Sequence, residues 1–482
     1  MTDAVDSEPP TEAPPTEAPA DPPEQPEKPK ENLRKLALRG SFWQLLGYVL
    51  TYGLRFVSST VIRSLLFPAA FGIMEVVTGL TLGLIMLSDV GIQQAIVRSE
   101  RGDEPVFLNT AWTMHVVRGV GLWLIAVVIA YPASLITHTP QVAYLLPIAS
   151  LSVVTMGFHS TAEFTLRRRV QLGRLVAMET SCMVVSLAVT ITWASIQPSV
   201  WALVAGGLTN AAMYLGWSYV LAKHVGYFNK FAWDPSVRKE IWDFGKWITG
   251  SSAVFFASTW GDRLLIVGFL GTQIAGVYAT AVLISEAVGS ALDRVVHGVF
   301  YPLFARIQRD GHDKLRKVYY GTRLRFDVLT MASTGGLSVM GPWVIELLFD
   351  DRYEAAGWML RVLCLRSATL AIVSPAETCL TALGHSKFGF YQNLLRAIWI
   401  LAGVPIGYWI GGAEGVVWAT ALSGIPPILA LWPKLWELKL LRLDREALAW
   451  VFFGVGAGLG WLAVWLLPEA TEIRHWLRDL VS

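Results

Sequence analysis

Charge is scarce in this chain of 482 residues. Asp, Glu, Lys and Arg make up 16% of it and hydrophobic residues 54%, where a soluble globular domain carries about 25% charged residues. That deficit excludes an ordinary water-soluble fold. The net charge is only +2, with no long basic block, which excludes a nucleic-acid surface. Cysteine is rarer still. Cys182, Cys364 and Cys379 lie singly inside apolar runs, so neither a disulfide framework nor a metal site is expected. No GxxxxGK[ST] phosphate loop occurs, so the chain is not expected to hydrolyse ATP itself, and no cofactor is expected. The segments on one side of the apolar runs are all short and present no convergent acid/base pair, which argues against an enzyme.

The first 32 residues are of a different material, with proline or an acid at most positions. Such a stretch cannot bury enough apolar surface to order itself. It lacks the basic start, short apolar core and cleavage site of a signal peptide. It reads as a solvated tail or spacer, with docking of a partner enzyme as the alternative.

What the chain has in abundance is apolar length. Runs able to span a bilayer, about 20 residues of helix each, occur near 41–66, 70–96, 106–137, 142–166, 173–196, 199–222, 245–270, 274–302, 324–349, 356–382, 386–411, 413–433 and 446–467. With the N-terminus inside, Lys and Arg collect in alternate connections, and the opposite ones hold only Arg352. That asymmetry is what the positive-inside rule requires. The basic inner connections at 223–244 and 303–323 are expected to carry short interfacial helices. The last run would leave the tail from Glu469 outside, against which Arg474 and Arg478 argue.

An internal repeat is also present. The stretch from Gly40 to Met74 has a counterpart of similar length from Gly245 to Tyr278, with Trp43 answered by Trp247 and Gly72 by Gly276. Six spans per half put both halves the same way up, related by an axis along the membrane normal. The expected fold is an all-α polytopic membrane protein of two pseudo-symmetric six-helix lobes around a central cavity, about 12–14 transmembrane helices in all. Residues 1–32 form the tail, 33–223 the N-lobe, 224–244 the linker, 245–440 the C-lobe and 441–482 an extra helix and tail.

Ionisable residues inside the spans are the functional candidates, since an unpaired charge there costs a few kcal/mol or more. In the first span, stepping about 100° per residue puts Gln44, Tyr48, Thr51, Tyr52 and Ser59 on the side of Arg55. Leu46, Leu50, Leu54, Val57 and Val61 face away. That polar stripe reads as the wall of a passage, with Tyr48 and Tyr52 lining it. Arg118, Arg366 and Arg396 also fall near mid-span, and Arg263 nearer an outer end. Acids are fewer at the centre: Glu286 there, with Asp89 and Asp293 toward the ends, all three candidates for a coupling ion. The competing reading is that Glu286 and the arginines merely form interhelical ion pairs. Collectively, guanidinium suits an anionic cargo, because it pairs bidentately with oxyanions and keeps its charge when desolvated. In-span prolines such as Pro132, Pro375 and Pro405 could act as hinges or static kinks.

Five stretches, in order, resemble the polysaccharide exporter (lipid-linked oligosaccharide flippase) family: residues 63–100, with Arg63, Pro68, Phe71, Gly72, Asp89 and Gly91; 198–207, PSVWALVAGG; 261–281, with Asp262 and Arg263; 300–310; and 341–365. The resemblance covers about 35–440 and leaves out the proline-rich start and the span after 446. It implies membership of the superfamily that holds multidrug extruders and lipid II flippases. The implied task is moving an undecaprenyl-pyrophosphate-linked oligosaccharide, or a related polysaccharide precursor, across the bacterial inner membrane. The implied partners are the bilayer, the polyprenyl-linked glycan and the polysaccharide polymerase or export machinery. On that resemblance Arg55, Arg118, Arg366, Arg396 and Arg263 are cavity candidates; the family offers no catalytic motif. The alternative is a cation-coupled small-molecule antiporter depending on Asp89 or Glu286. Aligning Gly72 with Gly276 sets Asp262 opposite Ser58, so the repeat does not duplicate Arg55.

Overall fold

The computed structural model describes residues 50–474 except 52, 169–170 and 309–311, and the side chains at 172, 244, 247, 288, 290–295, 297–298 and 312 also lie outside the described set. The expected tail at 1–32 lies outside it as well. Among the described residues the chain is helical throughout, without strands, as lipid demands: a helix satisfies its own backbone groups. Among the described residues eight helices are long and apolar enough to cross a membrane, or nine if Val142–Gly157 and Ala162–Arg168, bent by 59°, form one broken span.

Helix α1 covers 50–65, residue 52 apart, and α2 (Pro68–Leu87) begins after two intervening residues with proline in its first turn, where the missing N–H costs nothing. There follow α3 (Ile92–Arg98), α4 (Pro105–Ile136), α5 (Val142–Ala149), α6 (Leu151–Gly157), α7 (Ala162–Arg168), α8 (Leu172–Ile196) and α9 (Val200–Val225). The second half opens with α10 (Pro235–Val295), which is two crossings joined at a non-helical residue, Gly271. The chain doubles back at Gly271, φ 78°, so that Tyr278 meets Asp262 and Glu286 meets Arg263. Then come α11 (Tyr301–Ile307), α12 (His312–Leu348), α13 (Ala356–Ala382), α14 (Lys387–Ala421), α15 (Ile425–Glu437) and α16 (Leu443–Leu466). A second reversal at Gly411 and Gly412 splits α14, bringing the Trp399 indole to the Ala419 carbonyl at 2.8 Å.

Helix α13 is the staff of the second half: 78% of its most apolar stretch is buried, against 17% for the peripheral α16. A helix apolar all round belongs in an interior. The central core joins both halves, with Val76 and Val77 of α2 in one cluster with Ile266 and Tyr278 of α10 and Leu360 and Leu363 of α13.

The repeat is visible in how the halves touch. A Cβ on Gly72 would lie 1.8 Å from the Thr272 carbonyl oxygen, and one on Gly276 would lie 1.8 Å from the Pro68 carbonyl oxygen. The register that pairs Gly72 with Gly276 also pairs Pro68 with Thr272, so the contact is isologous across the pseudo-twofold axis. Further along the same seam Arg63 donates to Thr280 at 2.9 Å and Thr249 to the Asp89 carbonyl at 2.8 Å. At the end of the seam near residues 64–67 the Arg352 guanidinium donates to the Ser64 carbonyl at 3.0 Å and lies over the Phe67 ring at 4.9 Å. Its hydrogen bond to Asp350 raises its pKa above the ordinary arginine value.

Helix α16 is docked rather than loosely appended. Its Gly456 and Gly460 press on Ala332 and Gly336 of α12, a Cβ on Gly456 meeting the Ala332 carbonyl oxygen at 2.0 Å, the small-residue packing by which membrane helices approach closely. At its start Glu446 takes both terminal nitrogens of the buried Arg323 at 2.5 Å. Beyond α16, Arg474 donates to the Phe349 carbonyl at 2.7 Å and pairs with Asp351 at 3.3 Å. The tail therefore lies on the side of the connection that carries Arg352, and the arginine that argued against that side is held there by a carbonyl and a carboxylate.

Candidate functional site

The larger candidate site is a cavity of about 500 Å³ lying wholly within the second lobe. The α10 hairpin sets Trp260, Arg263 and Glu286 along one wall, α13 contributes Arg366 and Glu377, and α14 contributes Gln392, Asn393 and Arg396. The wall is tied together by charge. Asp262 is fully buried, and its Oδ2 accepts from Arg366 Nη1 at 2.7 Å and from the Tyr278 hydroxyl at 2.7 Å. Arg366 Nη2 reaches Glu286 at 3.1 Å, and Arg263 Nη2 reaches the other Glu286 oxygen at 3.3 Å. Arg263 also faces Glu75 of α2 at 3.7 Å and lies over the Trp260 ring at 4.5 Å. Paired charges of this kind are tolerated in an interior because each offsets the other's desolvation. The Glu286 side chain keeps 43% of its surface accessible, so the cavity is open.

Arg396 stands apart. It is 7% exposed, and it makes no hydrogen bond or ion pair within 4 Å to a described residue. Its Nε, the Nε of Arg366 and the Oε1 of Gln392, one turn before it, are buried without partners.

A second cavity, of about 310 Å³, lies within the first lobe. Arg118 and Asp89 line it with His115, His159 and Tyr214. Arg118 donates to Ser88 at 3.0 Å and to the Ile85 carbonyl at 2.5 Å. Asp89 accepts from the Gly91 amide at 2.9 Å, closing the turn before α3, and the His159 ring stacks on Tyr214 at 5.7 Å.

The sequence candidates thus separate. Arg263, Arg366, Arg396 and Glu286 come together in the larger cavity, and Arg118 and Asp89 in the smaller. Arg55 is exposed on α1 and lines neither. Tyr48, Tyr52 and the Asp293 side chain lie outside the described residues. Gln392 and Asn393 were not anticipated, although their placement four and three positions before Arg396 is a helix-face signal visible in the sequence. The sequence shows Asp262 as a charge, but not as the anchor of Arg366. That pairing spans 104 positions and has no local signature.

The profile of a family described as "Polysaccharide biosynthesis protein" matches residues 61–357. The chain is 22% identical over 391 residues to the lipopolysaccharide biosynthesis protein WzxC of Escherichia coli, covering 80% of this chain and 78% of that one. It is 22% identical over 402 residues to the succinoglycan biosynthesis transport protein ExoT of Rhizobium meliloti, covering 83% and 80%. Among solved structures, the lipid II flippase MurJ in an inward closed conformation superposes with a TM-score of 0.69 at 13% identity, covering 92% of this chain and all of that one. That likeness establishes the fold, and the profile, spanning more than half of the sequence, establishes the kinship: this chain belongs to the polysaccharide biosynthesis protein family.

Proposed function

We propose that the protein is a flippase, not an enzyme, that carries a lipid-linked polysaccharide precursor of the undecaprenyl-pyrophosphate type across the bacterial inner membrane, with its N-terminus in the cytoplasm. The observation that carries this reading is the family match over 61–357, joined to relatives whose names place them in lipopolysaccharide biosynthesis and succinoglycan transport. The two lobes meet along α2 and α10, and each holds a polar cavity. In this reading they rock about that seam in alternating access, while the polyprenyl tail stays in lipid. The exposed Arg55 and the cavity arginines Arg118, Arg366 and Arg396 oppose the negative charge of the head group and any acidic sugars. The seam at Arg63, Arg352, Gly72 and Gly276 opens and recloses with each cycle.

The competing reading, a cation-coupled antiporter depending on Asp89 or Glu286, finds less support. Glu286 is engaged by two arginines, and Asp89 is engaged in capping Gly91. The experiment is a flipping assay with lipid-linked glycan in proteoliposomes, alongside deletion of the gene. The expected outcome is glycan crossing only with protein present, and loss of surface polysaccharide on deletion. Unchanged polysaccharide with altered resistance to organic cations would favour the antiporter instead.

A further inference from the structure

We propose that the linker between the lobes is a docking surface for the chain's own acidic, proline-rich tail, with residues 20–29 as the docked segment. The proposal is independent of what the protein carries.

The surface is built before anything binds. From Tyr227 to Asp234 the chain is not helical, and it is fastened as a strap to the first lobe. The Tyr227 hydroxyl donates to Asn109 at 2.6 Å and Asn229 Nδ2 to Thr161 at 2.8 Å. The amides of Ala232 and Asp234 donate to Thr113 at 3.1 Å and to Thr110 at 3.2 Å. Asp234 then caps α10, whose Val237 and Ile241 are buried against α3 and α4.

What this strap and the first turns of α10 leave uncovered is aromatic and cationic. Phe228, Phe231, Trp233 and Trp242 are each more than half exposed. Lys230, Arg238 and Lys239 are exposed among them and form no ion pair within 4 Å to a described residue. The Arg238 guanidinium lies over the Trp233 ring at 5.7 Å. The nearby acids are already engaged, Asp234 by the Val237 amide at 3.0 Å, Glu240 by Ser99 at 2.7 Å and Asp243 by Lys246 at 3.3 Å. The face therefore keeps a positive charge. Rings of this kind receive the prolines of a polyproline II strand, and lysine and arginine beside them pair with its carboxylates.

The tail answers both properties. Between Asp3 and Glu27 it carries eight acids and no lysine or arginine. Bound as polyproline II, with about three residues per turn, it sets Pro23, Pro26 and Pro29 on one side and Asp21, Glu24 and Glu27 on the next. One side fits the rings and the other the cations. On the six spans expected in the first lobe, tail and linker lie on the same side of the membrane. The roughly 20 residues between Pro29 and α1 reach as far as about 70 Å. Such a tether makes docking intramolecular, at an effective concentration far above that of a free partner. Anionic lipid headgroups would match the charge, but not the three-residue register of proline and acid.

The test uses the full-length protein in detergent with the dye bimane on Ala20→Cys, because tryptophan quenches bimane at contact range. The native cysteines are buried and stay unlabelled. The expected result is bimane emission severalfold below that of the same protein carrying W233F and W242F, which keep apolar rings but not the quencher. K230Q, R238Q and K239Q together are expected to restore emission, as is about 1 M salt, where the screening length is about 3 Å. All five positions are exposed, so melting temperatures are expected to hold level, which separates undocking from misfolding. Carbodiimide coupling, which joins touching carboxylates and lysines without a spacer, is expected to link Asp21, Glu24 or Glu27 to Lys230 or Lys239 within one chain. Emission unchanged by W233F and W242F, crosslinks spread evenly over Lys387 and Lys439, or crosslinks between isotopically light and heavy chains would each overturn the proposal. In vesicles of phosphatidylcholine, with or without phosphatidylglycerol, the quenching is expected to persist. Quenching lost only with phosphatidylglycerol would assign the face to anionic lipid and overturn the proposal as well.

Discussion

Asp262 holds a full negative charge at a position with no accessible surface, and what makes that possible is two donors, Arg366 and Tyr278, each at 2.7 Å. Removing one partner of such a pair strands the other, a loss of about 3–5 kcal/mol. Asp262→Ala is therefore expected to lower the melting temperature of the purified protein sharply. Glu286→Gln is expected to cost less, because the Glu286 side chain is 43% accessible and water takes up part of the charge. A melt in which Glu286→Gln is the more damaging would contradict the assigned geometry. At this scale the sequence reveals which residues are out of place, since an arginine inside an apolar run stands out at once. It does not reveal who meets whom. Arg366 and Arg396 look alike as residues in apolar runs, yet Arg366 is paired directly with two carboxylates and Arg396 forms no ion pair within 4 Å among the described residues, and the difference arises from the α10 hairpin, which delivers Asp262 and Glu286 to α13. Arg55 illustrates the same boundary. A helical wheel separates its polar side from its apolar side but cannot say what stands opposite.

Among the elements, α16 separates what hydropathy can find from what packing decides. Its existence is plain from a run of apolar residues, and its acidic start with Glu446 is equally visible. That it seats on α12, through Gly335 and Gly336 against Gly456 and Gly460, follows from which glycines are left bare on two helices more than a hundred positions apart. Glycine alternates along α16 at 454, 456, 458 and 460, so half of these face away from α12. Gly456→Leu is expected to force the two helices apart, overpacking the contact at a cost of about 1–3 kcal/mol. Gly458→Leu, where no atom lies within 4 Å of the added Cβ, is expected to be tolerated. The measurement is the paired difference in melting temperature, and equal effects of the two substitutions would mean that α16 does not sit on α12 by this face.

For the whole molecule, the repeat makes a demand that no single element makes. Two residues related by a twofold axis can approach each other closely only near the axis, and there each must be small enough to admit its mate. Gly72 and Gly276 meet that demand, each pressed on the backbone that precedes the other. The sequence offers the two glycines as equivalent, and the structure adds that they lie side by side, which turns a repeat landmark into a point where the lobes close on each other. Valine at either position cannot fit against a carbonyl oxygen 1.8 Å from its Cβ, so Gly72→Val and Gly276→Val are expected to wedge the lobes apart at this end. The reporter is Thr280→Cys, a fully buried position that accepts from Arg63 across the seam. The native Cys182, Cys364 and Cys379 are all buried, which keeps the background low. In intact cells a membrane-impermeant maleimide is expected to leave Thr280→Cys unlabelled in the parent and to label it severalfold faster in either valine variant, with flipping lost in both. Labelling confined to inside-out vesicles would place the seam on the cytoplasmic side. That result would reverse the orientation expected from the lysine and arginine asymmetry, and with it the outward side expected for Arg474.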